Sequence, residues 1–297
     1  MPEMPEVETI RRHLAPHLEG RVLDTLDVHD ARWSRPLAGA ELAAAVEGRR
    51  LEALERRGKY LIFALSGDVH LLVHLRMTGT LLLDPAAPPR HGRVTFGFGG
   101  ERRLVFDDPR RFGTGELALG TPARDAFLAR RLGVEPFSPD FTSAHLSALA
   151  RASRAPVKAF LIDQRKVAGV GNIYADEALY RARIHPLRPA NRLTRRQVAA
   201  LRDAVIAALE EGVAAKGASI DDFRHPDGVQ GSFQHRFLIH LREGEPCLDC
   251  GRPVRKLRVA GRGTYVCEGC QPRPRGVAQA AARRSASRPE RSAAASS

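Results

Sequence analysis

Four cysteines, all between positions 247 and 270, constrain this chain more tightly than any other feature. They come as Cys247-x-x-Cys250 and Cys267-x-x-Cys270, with sixteen residues between the pairs. Thiolates paired in this way close a tetrahedral zinc site. With four protein ligands no position stays open for substrate, so one structural Zn2+ is expected and no catalytic metal. The stretch from Val254 to Val266 suits a β-hairpin turning at Gly261 to Gly263. Arg255, Lys256, Arg258 and Arg262 ride on it, and cations on a metal-pinned hairpin fit phosphate contact better than an idle solvated face. Confinement of every cysteine to one module points to a reducing compartment and away from a disulfide framework.

The 297 residues have room for two ordinary domains, each with its own core. A formal charge of +13 favours a polyanionic partner. Residues 271 to 297 hold six Arg and one Glu, or +5, which leaves +8 on the first 270 residues, so the body is itself basic. No apolar run approaches a membrane span, and no charged segment followed by an apolar one opens the chain. A cytoplasmic protein is therefore expected.

Hydrophobic spacing divides the chain. Val7, Ile10, Leu14 and Leu18 predict a helix from about Pro5 to Leu18. From Arg21 to Leu119 short apolar or alternating runs, such as Tyr60 to Leu65, Val69 to Leu75, Thr80 to Leu83, Val94 to Phe98 and Leu104 to Phe106, predict a β-sandwich or barrel. Residues 120 to 141 hold one helix and a Pro-containing connection. Thr194-Arg195-Arg196-Gln197 fits a capping box, and Val198, Leu201, Val205, Leu209 and Val213 then mark one helix face. Residues 217 to 236 read as a long loop, of the kind that is functional or disordered. The Ala/Ser/Arg/Pro tail has no apolar periodicity and is expected to be disordered.

Three segments carry chemistry with a bland alternative beside each. Pro2 becomes a free secondary amine once the initiator Met1 is removed; a reference pKa near 8 leaves roughly a tenth of it unprotonated at neutral pH, and Glu3 stands next to it as a proton-transfer group. Alternatively Pro5 simply opens a helix whose first turn is acidic. Gly169-Val170-Gly171-Asn172 reads as a turn opening a helix, whose N–H groups and Asn172 could hold a phosphate, or as a plain glycine turn. Asp107-Asp108-Pro109-Arg110-Arg111-Phe112-Gly113 suits a wedge for a base stack and equally a surface turn with Phe112 in the core. His74 and Met77 are, by themselves, ordinary core residues.

Together, Pro2-Glu3 with Pro5 to Glu8, Arg57 to Leu61, His74 to Gly79, Asp108 to Gly113, Gly169 to Glu177 and the cysteine hairpin resemble the formamidopyrimidine-DNA glycosylase (Fpg/Nei) family, in the right order from residue 2 to 270. The resemblance implies an α+β protein of two domains: an N-terminal β-sandwich with flanking helices, then a helical domain with a helix-two-turns-helix element and a β-hairpin zinc finger. Expected bounds are 2–120 for the catalytic sandwich, 121–141 for a connection, 142–236 for the helical domain with a lesion-recognition loop at 217–234, 237–271 for the zinc finger and 272–297 for the tail.

The implied activity is base-excision repair: a glycosylase and AP lyase that removes oxidised purines through a Schiff base on Pro2, then cuts the strand by β,δ-elimination. Its partner would be double-stranded DNA with oxidised bases or abasic sites, bound by a monomer. Glu3 matches the general acid/base, Glu6 an acidic residue orienting the sugar, and Lys59 a cation at the reacting centre. Met77, Arg110 and Phe112 match the residues that fill the gap of the extruded nucleotide. His74, Lys158, Asn172 and Arg262 match backbone contacts. Two alternatives stand beside this: an endonuclease VIII-like enzyme for oxidised pyrimidines, and a damaged-DNA-binding protein without chemistry. Ser232 stands where tyrosine often precedes the phenylalanine, which weakens the inference about the base more than that about strand chemistry.

Overall fold

The computed structural model describes residues 1–100, 102–219 and 231–275. Most of the expected lesion loop (220–230) and the tail beyond 275 lie outside the described residues. The first half runs α1 (Met4–Leu18), β1 (Val22–Val28), α2 (Gly39–Val46), β2 (Arg49–Arg57), β3 (Tyr60–Leu65), β4 (Val69–His74), β5 (Thr80–Leu83), β6 (Gly92–Phe98), β7 (Arg102–Asp107) and β8 (Thr114–Leu119). All pairings are antiparallel, in the order β5-β7-β6-β1-β2-β3-β4-β8. The β1–β2 joint is short, registering only Val22 with Arg50 and Leu23 with Arg49. There the sheet folds over, and its two four-stranded halves face each other as a sandwich.

Alternation along β6 sends Val94, Phe96 and Phe98 inward, where Phe96 stacks on Phe63 of the opposite layer at 5.6 Å between centroids. Val7, Ile10, Leu14 and Leu18 of α1 and Leu42 and Val46 of α2 close the same core. Strands β3 and β4 are buried along their whole length because α3 (Thr121–Ala129) covers their outer side, with Phe127 and Leu128 on Tyr60, Ile62 and Leu72. Two-sided burial is what makes these strands read as continuous apolar runs.

The second half is helical: α4 (Ser143–Arg151), α5 (Val157–Ile162), α6 (Asn172–Arg181) and α7 (Arg195–Ala214). The capping box of α7 forms as expected, Gln197 N donating to Thr194 Oγ1 at 3.2 Å and Thr194 N to Gln197 Oε1 at 3.1 Å. Hairpin β9 (Arg255–Val259) and β10 (Arg262–Val266) ends the described chain. Its turn falls on Ala260 and Gly261, both with positive φ (49° and 77°), instead of on Gly261 to Gly263; a two-residue turn with left-handed conformation at both positions matches strand twist. Among the described residues no helix is long and apolar enough to cross a membrane.

Helix α1 belongs to both halves. Met4 is packed into the helical core with Phe160, Val170 and Tyr174, while Val7 onward faces the sandwich. The residues just before α1 are thereby held at the junction.

Candidate functional site

Strand register gathers three connections at one end of the sandwich. Tyr60 faces His74, His74 faces Thr114, and Thr80 faces Asp107. The Gly58–Lys59 turn, the Arg76–Thr78 turn and the Asp108–Gly113 loop therefore neighbour one another. Gly58 has φ 57°, the left-handed value that a two-residue turn of this kind asks of its first position. Glu135, from the connection after α3, accepts the Gly58 N–H and pairs with Arg56 at 3.1 Å and Arg57 at 3.0 Å. Arg56 is bound in turn to Glu8 of α1 at 3.1 Å. Glu135 thus fixes the Lys59 turn to both halves, and no local signal in the sequence marks it for that task.

Pro2, Glu3 and Glu6 are buried at the junction. Glu3 reaches 170 positions along the chain to α6, its Oε1 accepting from Ile173 N at 3.0 Å. The helix N-terminus that the sequence offered to a phosphate is therefore filled by the chain's own carboxylate, a favourable place for negative charge. A Cβ on Gly171 would lie 2.2 Å from Glu3 Cδ, so any other residue there would have to displace the Glu3 carboxylate. Glu3 Oε2 is buried without a hydrogen-bond partner, which leaves one carboxylate oxygen for a proton. Glu6 accepts from Glu3 N at 2.7 Å, from Tyr174 Oη at 2.8 Å and from Ala218 N at 2.8 Å. Burial, with the neighbouring Glu3 charge, raises its pKa above the usual carboxylate value. Nothing in the sequence singles out Tyr174 beyond its place within Gly169 to Glu177.

Lys59 is almost wholly buried, and desolvation lowers its pKa, with Arg262 acting in the same sense and Glu3 and Glu6 opposing. These four side chains, from α1 and the residue before it, the β2–β3 turn and the zinc hairpin, share one electrostatic field. His74 is held neutral, its pKa pushed down to about 3 by burial and then by Arg76 and Lys59. Its Nδ1 accepts from Arg76 N at 2.9 Å, so the ring proton sits on Nε2 as a donor without charge. Beside them a cavity of about 290 Å³ is lined by Lys59, His74, Arg76, Arg130, Arg131 and Arg165.

Phe112 is half exposed on its loop and not in the core, with the Arg110 guanidinium 4.8 Å from its ring centre. Met77 is half buried on the Arg76–Thr78 turn beside it. Arg262 is exposed on the first residue of β10, and Asn172 opens α6 with its Oδ1 unpartnered. Lys158 departs from the expected phosphate contact. It is fully buried, with Nζ 2.7 Å from Asp176 Oδ1 and donating to Gly263 O at 3.0 Å and Thr264 Oγ1 at 2.9 Å. Its charge ties α5 and α6 to the zinc hairpin and has no face toward solvent.

The sulfurs of Cys247, Cys250, Cys267 and Cys270 all lie within 4.8 Å of one another. A tetrahedral zinc with Zn–S of about 2.3 Å needs sulfur separations of about 3.8 Å, and Cys247–Cys270 and Cys250–Cys267 stand at 3.8 and 3.4 Å. The donor set fits one structural zinc ion. Tyr180 of α6 donates to Asp249 at 2.6 Å, 3.1 Å from Cys247 Sγ, joining the metal loop to the helical half.

Comparison with known proteins agrees with this architecture. Residues 1–115 match the formamidopyrimidine-DNA glycosylase N-terminal domain, 132–224 the H2TH domain of the same glycosylase, and 244–273 the zinc finger found in FPG and IleRS. The chain is 46% identical to the formamidopyrimidine-DNA glycosylase of Thermus thermophilus over 91% of its own length and 98% of that protein, and 41% identical to the one from Roseobacter denitrificans over 91% and 100%. Among solved structures, the MutM (Fpg) protein of Thermus thermophilus superposes with a TM-score of 0.83 at 44% identity (91% and 98% covered). The Lactococcus lactis Fpg in complex with abasic-site DNA superposes with 0.85 at 35% (91% and 100% covered). The fold and its zinc-pinned hairpin are those of the H2TH DNA glycosylases. Within that class, the chain belongs to the formamidopyrimidine-DNA glycosylase family.

Proposed function

We propose that this protein is a base-excision-repair DNA glycosylase and AP lyase that removes oxidised purines, 8-oxoguanine and formamidopyrimidines, from double-stranded DNA. The observation that carries it is the charge coupling of buried Lys59 with Glu3, Glu6 and Arg262, beside buried Pro2 that adjoins Glu3 in the chain, with one Glu3 oxygen unpartnered. After loss of Met1, the Pro2 nitrogen attacks C1′ of the damaged nucleotide; the bond from C1′ to the base breaks and its electron pair leaves with the base. The nitrogen then gives up its proton and its lone pair opens the sugar, the C1′–O4′ bond breaking as O4′ takes a proton; a secondary amine leaves an iminium that stays charged, which acidifies the C2′ hydrogen. Glu3 takes that proton, the 3′ phosphate leaves by β-elimination, and δ-elimination expels the 5′ phosphate. The field of the Lys59 ammonium favours the unprotonated, nucleophilic form of the amine.

Arg262 and the cationic cavity beside Lys59 bind backbone phosphates, with His74 adding a neutral donor. Met77, Arg110 and Phe112 fill the space of the extruded nucleotide. All these residues come from one chain, so the proposed site needs no second copy to complete it, and four clustered thiols fit a reducing compartment. Glycosylase relatives from Lactococcus lactis have been solved with abasic-site DNA and with Fapy-dG DNA, and we carry that substrate class to this chain. Excision rates on duplexes holding 8-oxoguanine or thymine glycol test the choice of base: 8-oxoguanine is expected to react faster, and faster release of thymine glycol would assign the protein to the pyrimidine branch.

A further inference from the structure

Met77 and Phe112 are each preceded by an arginine in the left-handed region, Arg76 at φ 56° and Arg111 at φ 59°. A residue with a long side chain adopts that conformation only where surrounding contacts enforce it. The Arg76 turn is held by His74, whose Nδ1 accepts from Arg76 N at 2.9 Å, and the Arg111 turn by Asp108, which also reaches the first turn through Thr78. Asp108 is fully buried between the two loops. Its Oδ1 accepts from Thr78 Oγ1 at 2.5 Å and Arg110 N at 3.1 Å, and its Oδ2 from Phe112 N and Gly113 N, both at 2.8 Å. Below it lies the ring of Phe106, on which both loops rest through glycine: a Cβ on Gly79 would stand 2.8 Å from Phe106 Cζ, and one on Gly113 2.2 Å. Thr78 and Asp108 are thirty positions apart in sequence, yet their loops share one acceptor and one floor.

We propose that Asp108 is a positioning residue that makes the Met77 turn and the Arg110–Phe112 loop a single pre-set wedge, Thr78 being the link between them. The inference rests on the wedge role given to Met77 and Phe112 above. Two loops free to move separately would have to be ordered together each time DNA is entered. A carboxylate whose four acceptor positions are already filled meets that ordering cost in folding, so it does not fall on the flipping step.

Thr78→Val removes the link while leaving three of the four hydrogen bonds. Single-turnover excision of 8-oxoguanine from duplex should fall about tenfold, the scale of one hydrogen bond to a charged group, and Asp108→Ala should fall further. Borohydride trapping on a single-stranded abasic oligonucleotide, which has no stack to enter, should stay within about twofold of wild type for Thr78→Val. In a Met77→Ala/Phe112→Ala background, Thr78→Val should have no further effect, because the side chains it acts through are gone. An unchanged duplex rate for Thr78→Val, an equal loss on single-stranded DNA, or the same tenfold loss in the double-alanine background would overturn the role of Asp108. Wild-type excision by Phe112→Ala would instead overturn the wedge itself, and the positioning role with it.

Discussion

Glu6 shows how one side chain can be costly to the fold and central to the proposed site. It is buried, adjoins Glu3 and still carries hydrogen bonds from Tyr174 and the Ala218 backbone. Its pKa is raised in the folded state, so the folded protein binds the proton more tightly than the unfolded chain does. Its contribution to stability is therefore fully present below the ordinary value of 4.5 and is lost as pH rises through the folded value. Glu6→Gln should remove that loss: thermal melts at pH 5 and 8 should converge for the variant relative to wild type, by about 1.4 kcal/mol per unit of elevation, while lesion excision falls. A wild-type melting curve as insensitive to pH as that of the variant would show that Glu6 is not strained. From sequence, Glu3 and Glu6 can be named because they adjoin Pro2. Their partners cannot, since Ile173, Tyr174 and Ala218 meet them only through the fold. Lys158 is the reverse case: a lysine in a basic protein suggests a phosphate, and only packing reveals Asp176, Gly263 and Thr264 around it.

Strands and helices with a clean apolar pattern were legible, and those whose pattern is broken were not. Tyr60–Leu65 and Thr80–Leu83 fall where their runs predict them. The segment Arg49–Arg57 is composed of good helix formers, with buried Leu51 and Leu54 three positions apart, yet it is a strand; a register shift between Leu51 and Ala53 lets both leucines face inward. Helix α2, rich in alanine, hides in the same β-rich stretch for want of a periodic face longer than two turns. The zinc hairpin offers two tests at this level. Arg262→Ala should weaken binding to all DNA sequences alike and reduce the salt slope by about one unit, with little change in melting temperature; an unaltered slope would put Arg262 off the backbone. Lys158→Met should do the opposite, leaving the slope intact but costing up to about 3–5 kcal/mol of stability by breaking the buried pair with Asp176, whose remaining partner is His240 Nδ1 at 2.8 Å. Chelation of zinc should release the hairpin and with it Arg262, seen as loss of DNA binding before loss of the sandwich fold; undiminished binding by metal-free protein would show the cysteines to be dispensable.

The two halves of the protein meet along α1, whose first turn is packed in one core and whose remainder is packed in the other. The chain Glu8–Arg56–Glu135 crosses the same boundary, with Glu8 held down to about 2 by Arg11, Arg12 and Arg56 despite partial burial. The proposed catalytic groups of the N-terminus and the sandwich and the proposed DNA contact of the zinc hairpin are in this way electrostatically coupled, though 256 positions separate Glu6 from Arg262 in the sequence. The order of motifs along the chain was enough to name the family and the architecture. The coupling itself, and the partners that hold each group in place, required three dimensions. The proposed chemistry depends throughout on a free amine at Pro2. Borohydride reduction of the wild-type protein on a duplex containing 8-oxoguanine or an abasic site should yield a covalent protein–DNA adduct, absent for Pro2→Gly and for protein that retains Met1. No adduct with wild-type protein on either duplex, or an adduct undiminished in Pro2→Gly, would contradict the account.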